Sequence, residues 1–157
     1  MKAITILARC RNADSEIRRI QQRIRQRREA AESVTPKMDA IGGGRGTSEP
    51  DKIAAFVAAI VELEQRLEAR EQARRVEVVA ACVLLEALPE NESAVLHQYY
   101  IQRQKVPGIA HKLGYTEGYI RKLKSEAERM LDEVPESRVA GLLPAWYIRE
   151  QERPVQG

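Results

Sequence analysis

Apolar residues early in the chain recur with a helical period. Between Asp14 and Val34, the residues Ile17, Ile20, Ile24, Ala31 and Val34 are three, four or seven positions apart, so they share one stripe. The spacing predicts an amphipathic helix whose other faces are crowded with Arg18, Arg19, Arg23, Arg25, Arg27 and Arg28. Thr35-Pro36 is expected to stop it. The stretch 35–50, with Gly42-Gly43-Gly44-Arg45-Gly46-Thr47-Ser48, has the composition of a flexible linker. These glycines are not read as a phosphate cradle, because no strand-like run precedes them and no lysine followed by Ser or Thr closes them.

A second, longer helix is expected from Asp51 or Lys52 to Ala87, after the capping side chains and proline of Ser48-Glu49-Pro50-Asp51. Ile53, Ile60, Leu67, Ala81 and Leu88 fall on one heptad column, and Phe56, Leu63 and Leu84 on another. Arg74 interrupts the first column, and Arg70 and Glu77 the second. The pattern is that of an imperfect coiled coil. Glu62 with Arg66 and Glu71 with Arg75 have the acid-before-base spacing that supports a helix. Glu62, Glu64 and Glu68 are expected to face the arginine-rich first helix, in a hairpin or between subunits.

Leu88-Pro89 ends this helix and opens a segment of different pattern. From Glu90 to Arg103, Val95, Leu96, Tyr99 and Tyr100 form one helical face, and a break follows at Gln104 and Lys105. A short helix then places Ile109, Ala110 and Leu113 inward and ends at Gly114, which can take the left-handed backbone of a tight turn. Tyr115 and Thr116 complete the turn. Thr116 is the expected N-cap of a helix in which Ile120, Leu123, Ala127, Met130 and Leu131 point inward. Two helices joined by a three-residue turn, with a small residue at 110 for close approach, are the pattern of a helix-turn-helix. Its outward face carries Glu117, Gly118, Tyr119, Arg121, Lys122, Lys124 and Ser125, several near the end that would enter a major groove. Arg121 suits a guanine edge, and Lys122 and Lys124 suit phosphates. Lys105, in the break, and Lys112, on the preceding helix, add cations.

Composition narrows the class. The chain has 157 residues, 43% hydrophobic but only 4% aromatic, which favours helices on aliphatic seams and an all-α fold. The net charge of +3 lends mild support to a polyanionic partner. Cys10 and Cys82 are far apart and form no ligand set with His97 and His111, so reduced cysteines and no metal are expected. No serine-histidine-acid set or paired-carboxylate pocket can be assembled, so neither an enzyme nor a cofactor is expected. The apolar stretch Ala3–Ala8 is too short for a secretory leader. Val78–Leu85, bracketed by Glu77 and Glu86, is far short of a membrane span. A cytoplasmic protein is expected.

The stretch LPENESAVLHQYYIQRQKVPGIAHKLGYTEGYIRKLKSEAERML, Leu88 to Leu131, resembles the region-4-like DNA-binding domain of bacterial sigma factors. Within that group it is most similar to small sigma-like regulators of phages and prophages of Gram-positive bacteria. Those proteins also have a basic N-terminal helix, a glycine-rich break and a long helix. The resemblance implies promoter binding and activation of phage genes, often late ones, by contact with host RNA polymerase. The positions matching the recognition helix are Thr116, Glu117, Tyr119, Arg121, Lys122 and Ser125. The sequence departs from the pattern at Val106-Pro107, where acidic residues usually follow an aromatic or aliphatic one.

The expected organisation is an elongated hairpin or coiled-coil part over 1–88, a helix-turn-helix domain over 89–132 and a tail over 133–157. The expected partners are double-stranded DNA, host RNA polymerase and a second copy paired through the N-terminal helices, in a bacterial host cell at the nucleoid, with no membrane. In the tail, Leu142, Leu143, Trp146, Tyr147 and Ile148 are expected to pack on the protein's own helices; the alternative is a patch that recruits polymerase or a second subunit. Two rival functions share the pattern. One is a phage small terminase subunit, although such subunits commonly place the motif first. The other is a coiled-coil scaffold that binds only protein.

Overall fold

The computed structural model describes residues 1–40 and 49–154, and every element in them is helical. The expected all-α class is therefore observed among the described residues. The glycine-rich run Gly42 to Ser48, read as a linker, lies outside them. Helix α1 spans Ala3–Ala40 and α2 spans Glu49–Glu86. Then come α3 (Glu90–Leu96), continued by a π-helical turn (His97–Ile101), α4 (Val106–Leu113), α5 (Glu117–Asp132), α6 (Glu136–Gly141) and α7 (Ala145–Glu152). No described helix is long and apolar enough to cross a membrane.

Two expectations for α1 are corrected. The helix begins at Ala3, not Asp14, because Ala3, Ile6, Leu7, Cys10, Ala13 and Ile17 extend the apolar stripe at the same spacing, and all six are buried. It also continues through Thr35-Pro36 to Ala40. A proline removes its own ladder bond, and the helix formers Lys37, Met38 and Ala40 follow it. Helix α2 keeps nearly its expected bounds.

The chain forms two compact units, one made of Met1–Ala13 with Gln72–Gly157 and the other of Asp14–Glu71. These do not coincide with divisions at residues 88 and 132. The first unit is built round a core in which Ile6 and Leu7 of α1, Leu84 and Leu85 of α2, Leu96 of α3, Leu131 of α5 and Tyr147 of α7 are buried together. The tail thus packs on the protein's own helices, through Val139, Leu143 and Tyr147, while Trp146 stays 42% exposed. Within this core, Arg9 Nη1 donates to the Tyr147 hydroxyl at 2.8 Å, and that hydroxyl donates to Oε1 of buried Glu77 at 2.9 Å. A smaller cluster joins Val95, Ile109, Ala110, Ile120 and Leu123.

In the second unit, Ile17, Ile24 and Leu63 are buried. Glu16 pairs with Arg70 and Arg28 with Glu64, both at 2.6 Å, a pairing order that runs antiparallel. Glu64 thus meets the arginine-rich helix as expected, whereas Glu62 bonds Arg66 on its own helix at 2.8 Å.

Candidate nucleic-acid interface

The helix expected over Glu90–Arg103 changes geometry part-way and is helical to Ile101. After Leu96 the ladder widens into the π turn, closed by Gln102 N–H donating to His97 C=O at 3.0 Å, and Arg103 takes a left-handed φ of 58°. The reason is tertiary. Arg11 of α1 donates to the carbonyl oxygen of Tyr99 and, at 3.2 Å, to that of Gln104, and its guanidinium lies 3.8 Å from the centre of the Tyr99 ring. One side chain satisfies carbonyls that the end of the helix leaves open.

Lys105 precedes α4 in extended backbone and is exposed. Helix α4 buries Ile109 and Ala110 as expected and ends at Gly114, whose φ is 75°. Tyr115 N–H then donates to Ala110 C=O at 3.0 Å, which closes the turn. A Cβ at Gly114 would meet nothing within 4 Å, so the glycine answers to its backbone angle alone. Gly114→Ala is expected to cost about 1–2 kcal/mol from left-handed strain, with no clash. A denaturant midpoint unchanged from the parent would contradict this.

Thr116 caps α5, its Oγ1 accepting from Tyr119 N–H at 3.2 Å, and Glu117 adds an acidic residue to the first turn. Ile120, Leu123, Ala127 and Leu131 are buried, while Met130 is half-buried. At about 100° per residue, Gly118, Arg121, Lys122 and Ser125 lie on the opposite face, and all are exposed. Arg121 is 3.4 Å from Glu117, both mostly in solvent. Tyr119 lies at the margin, 39% exposed, edge to face with Tyr115 at 5.0 Å. Lys112 is exposed on α4.

Lys124 departs from this group. Its angular position falls close to that of buried Leu131, and its side chain is 22% exposed. Its Nζ is 2.7 Å from Glu128 and 4.5 Å from the centre of the Tyr99 ring, so the residue braces α5 from below. The Tyr100 hydroxyl donates to the same Glu128 at 2.6 Å, and burial, then that contact, raises the Tyr100 pKa. Sequence reasoning missed Arg129, exposed four residues beyond Ser125 on the same row and 3.6 Å from Glu133. The signal was its i+4 spacing.

Gly118 stands out on this face. It lies within a helix, where glycine is less favourable than alanine by up to about 1 kcal/mol, yet a Cβ there would meet nothing within 4 Å. Nothing inside the described protein requires it. The surface thus combines three cations, Arg121, Lys122 and Arg129, with the Glu117 carboxylate, a hydroxyl, a tyrosine margin and a bare backbone at the helix N-terminus. Such a surface can hold anions and hydrogen-bond to flat polar edges.

Covalent chemistry has less to draw on. Neither cysteine is in a disulfide, and burial followed by Glu86 raises the Cys82 pKa, which keeps the thiol protonated. Among the described residues, no group of three His, Cys, Asp or Glu could hold a metal ion. No protein-family model, curated protein or solved structure matches the chain.

Proposed function

We propose that α4, its turn and α5 act as a helix-turn-helix that binds duplex DNA sequence-specifically, with α5 as the recognition helix. The observation that carries this reading is the exposed face of α5, where Gly118 leaves the backbone open between Thr116, Glu117, Tyr119, Arg121, Lys122 and Ser125. A missing side chain there allows close approach to a groove wall. Arg121 reads a guanine edge, and Lys122 meets phosphate, helped by Lys105 and Lys112. Lys124 serves by holding α5 against Tyr99.

The wider role follows the resemblance to sigma-like regulators. The protein is a transcriptional regulator that acts at phage promoters with host RNA polymerase. It pairs with a second copy through the N-terminal helices, where Val57 and Val61 of α2 leave apolar surface exposed. Mass in solution tests the pairing. A dimer fits it, whereas a ring of many copies would favour the DNA-packaging alternative.

The binding itself is tested by selecting duplexes from a random library and then titrating variants. Arg121→Ala should weaken the selected site by about 1–3 kcal/mol and relax preference at one position. Lys122→Ala should weaken all sequences alike and lower the salt slope by about 1. Gly118→Ala should stabilise the fold slightly while weakening the selected site. Failure to enrich any sequence, or parental binding by all three variants, would overturn the proposal.

A further inference from the structure

Between Ile17 and Arg28 the chain has six arginines and no acidic residue. One of them, Arg28, pairs with Glu64. Arg18, Arg19, Arg23, Arg25 and Arg27 are exposed, and none has an ion-pair partner among the described residues. Arg19, Arg23 and Arg27 follow one another at intervals of four along α1, which places their stems about 6 Å apart in one row. Like charges at this spacing destabilise a helix. Of the α2 carboxylates expected to face α1, Glu64 is engaged with Arg28 and Glu62 with Arg66.

The row also borders a recess. Arg23 and Arg27 of α1 line a cleft of about 490 Å³ together with Arg66 of α2, which pairs with Glu62 there. The exposed part of α1 between Arg18 and Arg28 carries no large apolar side chain to anchor a protein partner. Guanidinium forks match phosphate oxygens, and a regular row of them matches a strand that repeats its charge.

We infer that the row of Arg19, Arg23 and Arg27 is a second nucleic-acid contact that grips the phosphate backbone of duplex DNA without reading sequence. The contact belongs to the unit Asp14–Glu71, includes no residue of α5 and does not rest on the reading of α5. It supplies electrostatic affinity through counterion release, so its signature is in the salt dependence.

The test uses the full chain and a short duplex of arbitrary sequence, titrated by fluorescence anisotropy between about 50 and 200 mM salt. Replacing Arg19, Arg23 and Arg27 together by Gln keeps helix propensity. It should lower the slope of log K against log salt by about 2–3, at about 0.9 for each phosphate that is no longer neutralised. The weakening should be equal for every duplex sequence, and helical circular dichroism and the thermal midpoint should be maintained or raised. Arg28→Gln, which removes a paired arginine, should change the slope by less than about 1.

The same triple substitution added to Arg121→Ala and Lys122→Ala separates the two surfaces. Residual, sequence-independent binding in that background should disappear, even if α5 proves to read nothing. An unchanged salt slope in the folded triple variant would overturn the inference, as would absence of duplex binding by the parent. Tighter parental binding to single-stranded RNA than to duplex would also overturn it.

Discussion

Ile6→Ala and Leu7→Ala will each destabilise the unit that contains α5 by about 2–5 kcal/mol, although both residues lie more than a hundred positions upstream of that helix. Both side chains are 0% exposed and share a core with Leu84, Leu96 and Leu131. Truncation to Ala leaves a cavity that the surrounding helices fill only partly. Domains are stable by only about 5–15 kcal/mol, so the double variant should be largely unfolded. Trp146, the only tryptophan, is half-exposed on α7, with its ring centre 5.9 Å from that of Tyr147, and its fluorescence can follow denaturant unfolding of this unit. A loss below about 1 kcal/mol in each single variant would show that the N-terminal turns are dispensable to this core. A fragment over 89–132 should fail to fold for the same reason, because Leu96, Tyr100, Ala127 and Leu131 would lose the partners that cover them.

Tyr147→Phe will cost about 2–4 kcal/mol, although it removes a single oxygen. That oxygen accepts from Arg9 and donates to Glu77, which is 2% exposed, so the variant loses two hydrogen bonds to ionisable groups inside a core. The same hydroxyl gives a pH signature. Burial, its largest cause, together with Glu77, pushes the Tyr147 pKa up to about 12 against the lowering effect of Arg9. A raised pKa in the folded state means that the protonated phenol is favoured there. Its stabilisation is fully present below about pH 10 and is lost as pH rises towards 12. Tyr100 shifts in the same direction and adds to the alkaline loss. Tyr147→Phe should flatten, without abolishing, the fall in unfolding free energy between pH 10 and 12. An alkaline limb identical to that of the parent would contradict the assignment.

Much of this arrangement is legible in the sequence. Ile53, Phe56, Ile60, Leu63, Ala81 and Leu84 all lie on the covered side of α2, as their columns require. The interruptions in those columns carry information too. Arg70 meets Glu16, and Glu77 accepts from Tyr147, so the breaks in the apolar pattern mark where polar partners enter. The turn at Gly114 and the cap at Thr116 follow from backbone angle and hydroxyl chemistry, both local properties. The start of α1 was readable as well, since Ala3, Ile6, Leu7, Cys10 and Ala13 keep the period, but a short apolar stretch at an N-terminus invites comparison with a leader instead. The π turn had no such signal. Its geometry depends on Arg11, far away in sequence, and no spacing within His97–Ile101 announces it. Lys124 is intermediate, because its angle on α5 was computable while the Tyr99 ring beneath it was not.

The interleaving of the two units sets an order on synthesis. Asp14–Glu71 is contiguous, whereas Met1–Ala13, made before it, has no core to join until α2, α5 and α7 exist. Ile6 and Leu7 therefore wait in the nascent chain as uncovered apolar surface, and the contacts that finally cover them have high sequence separation, which slows folding. A chain halted just after α5 would present its cationic helix without the Tyr147 contact that closes the core.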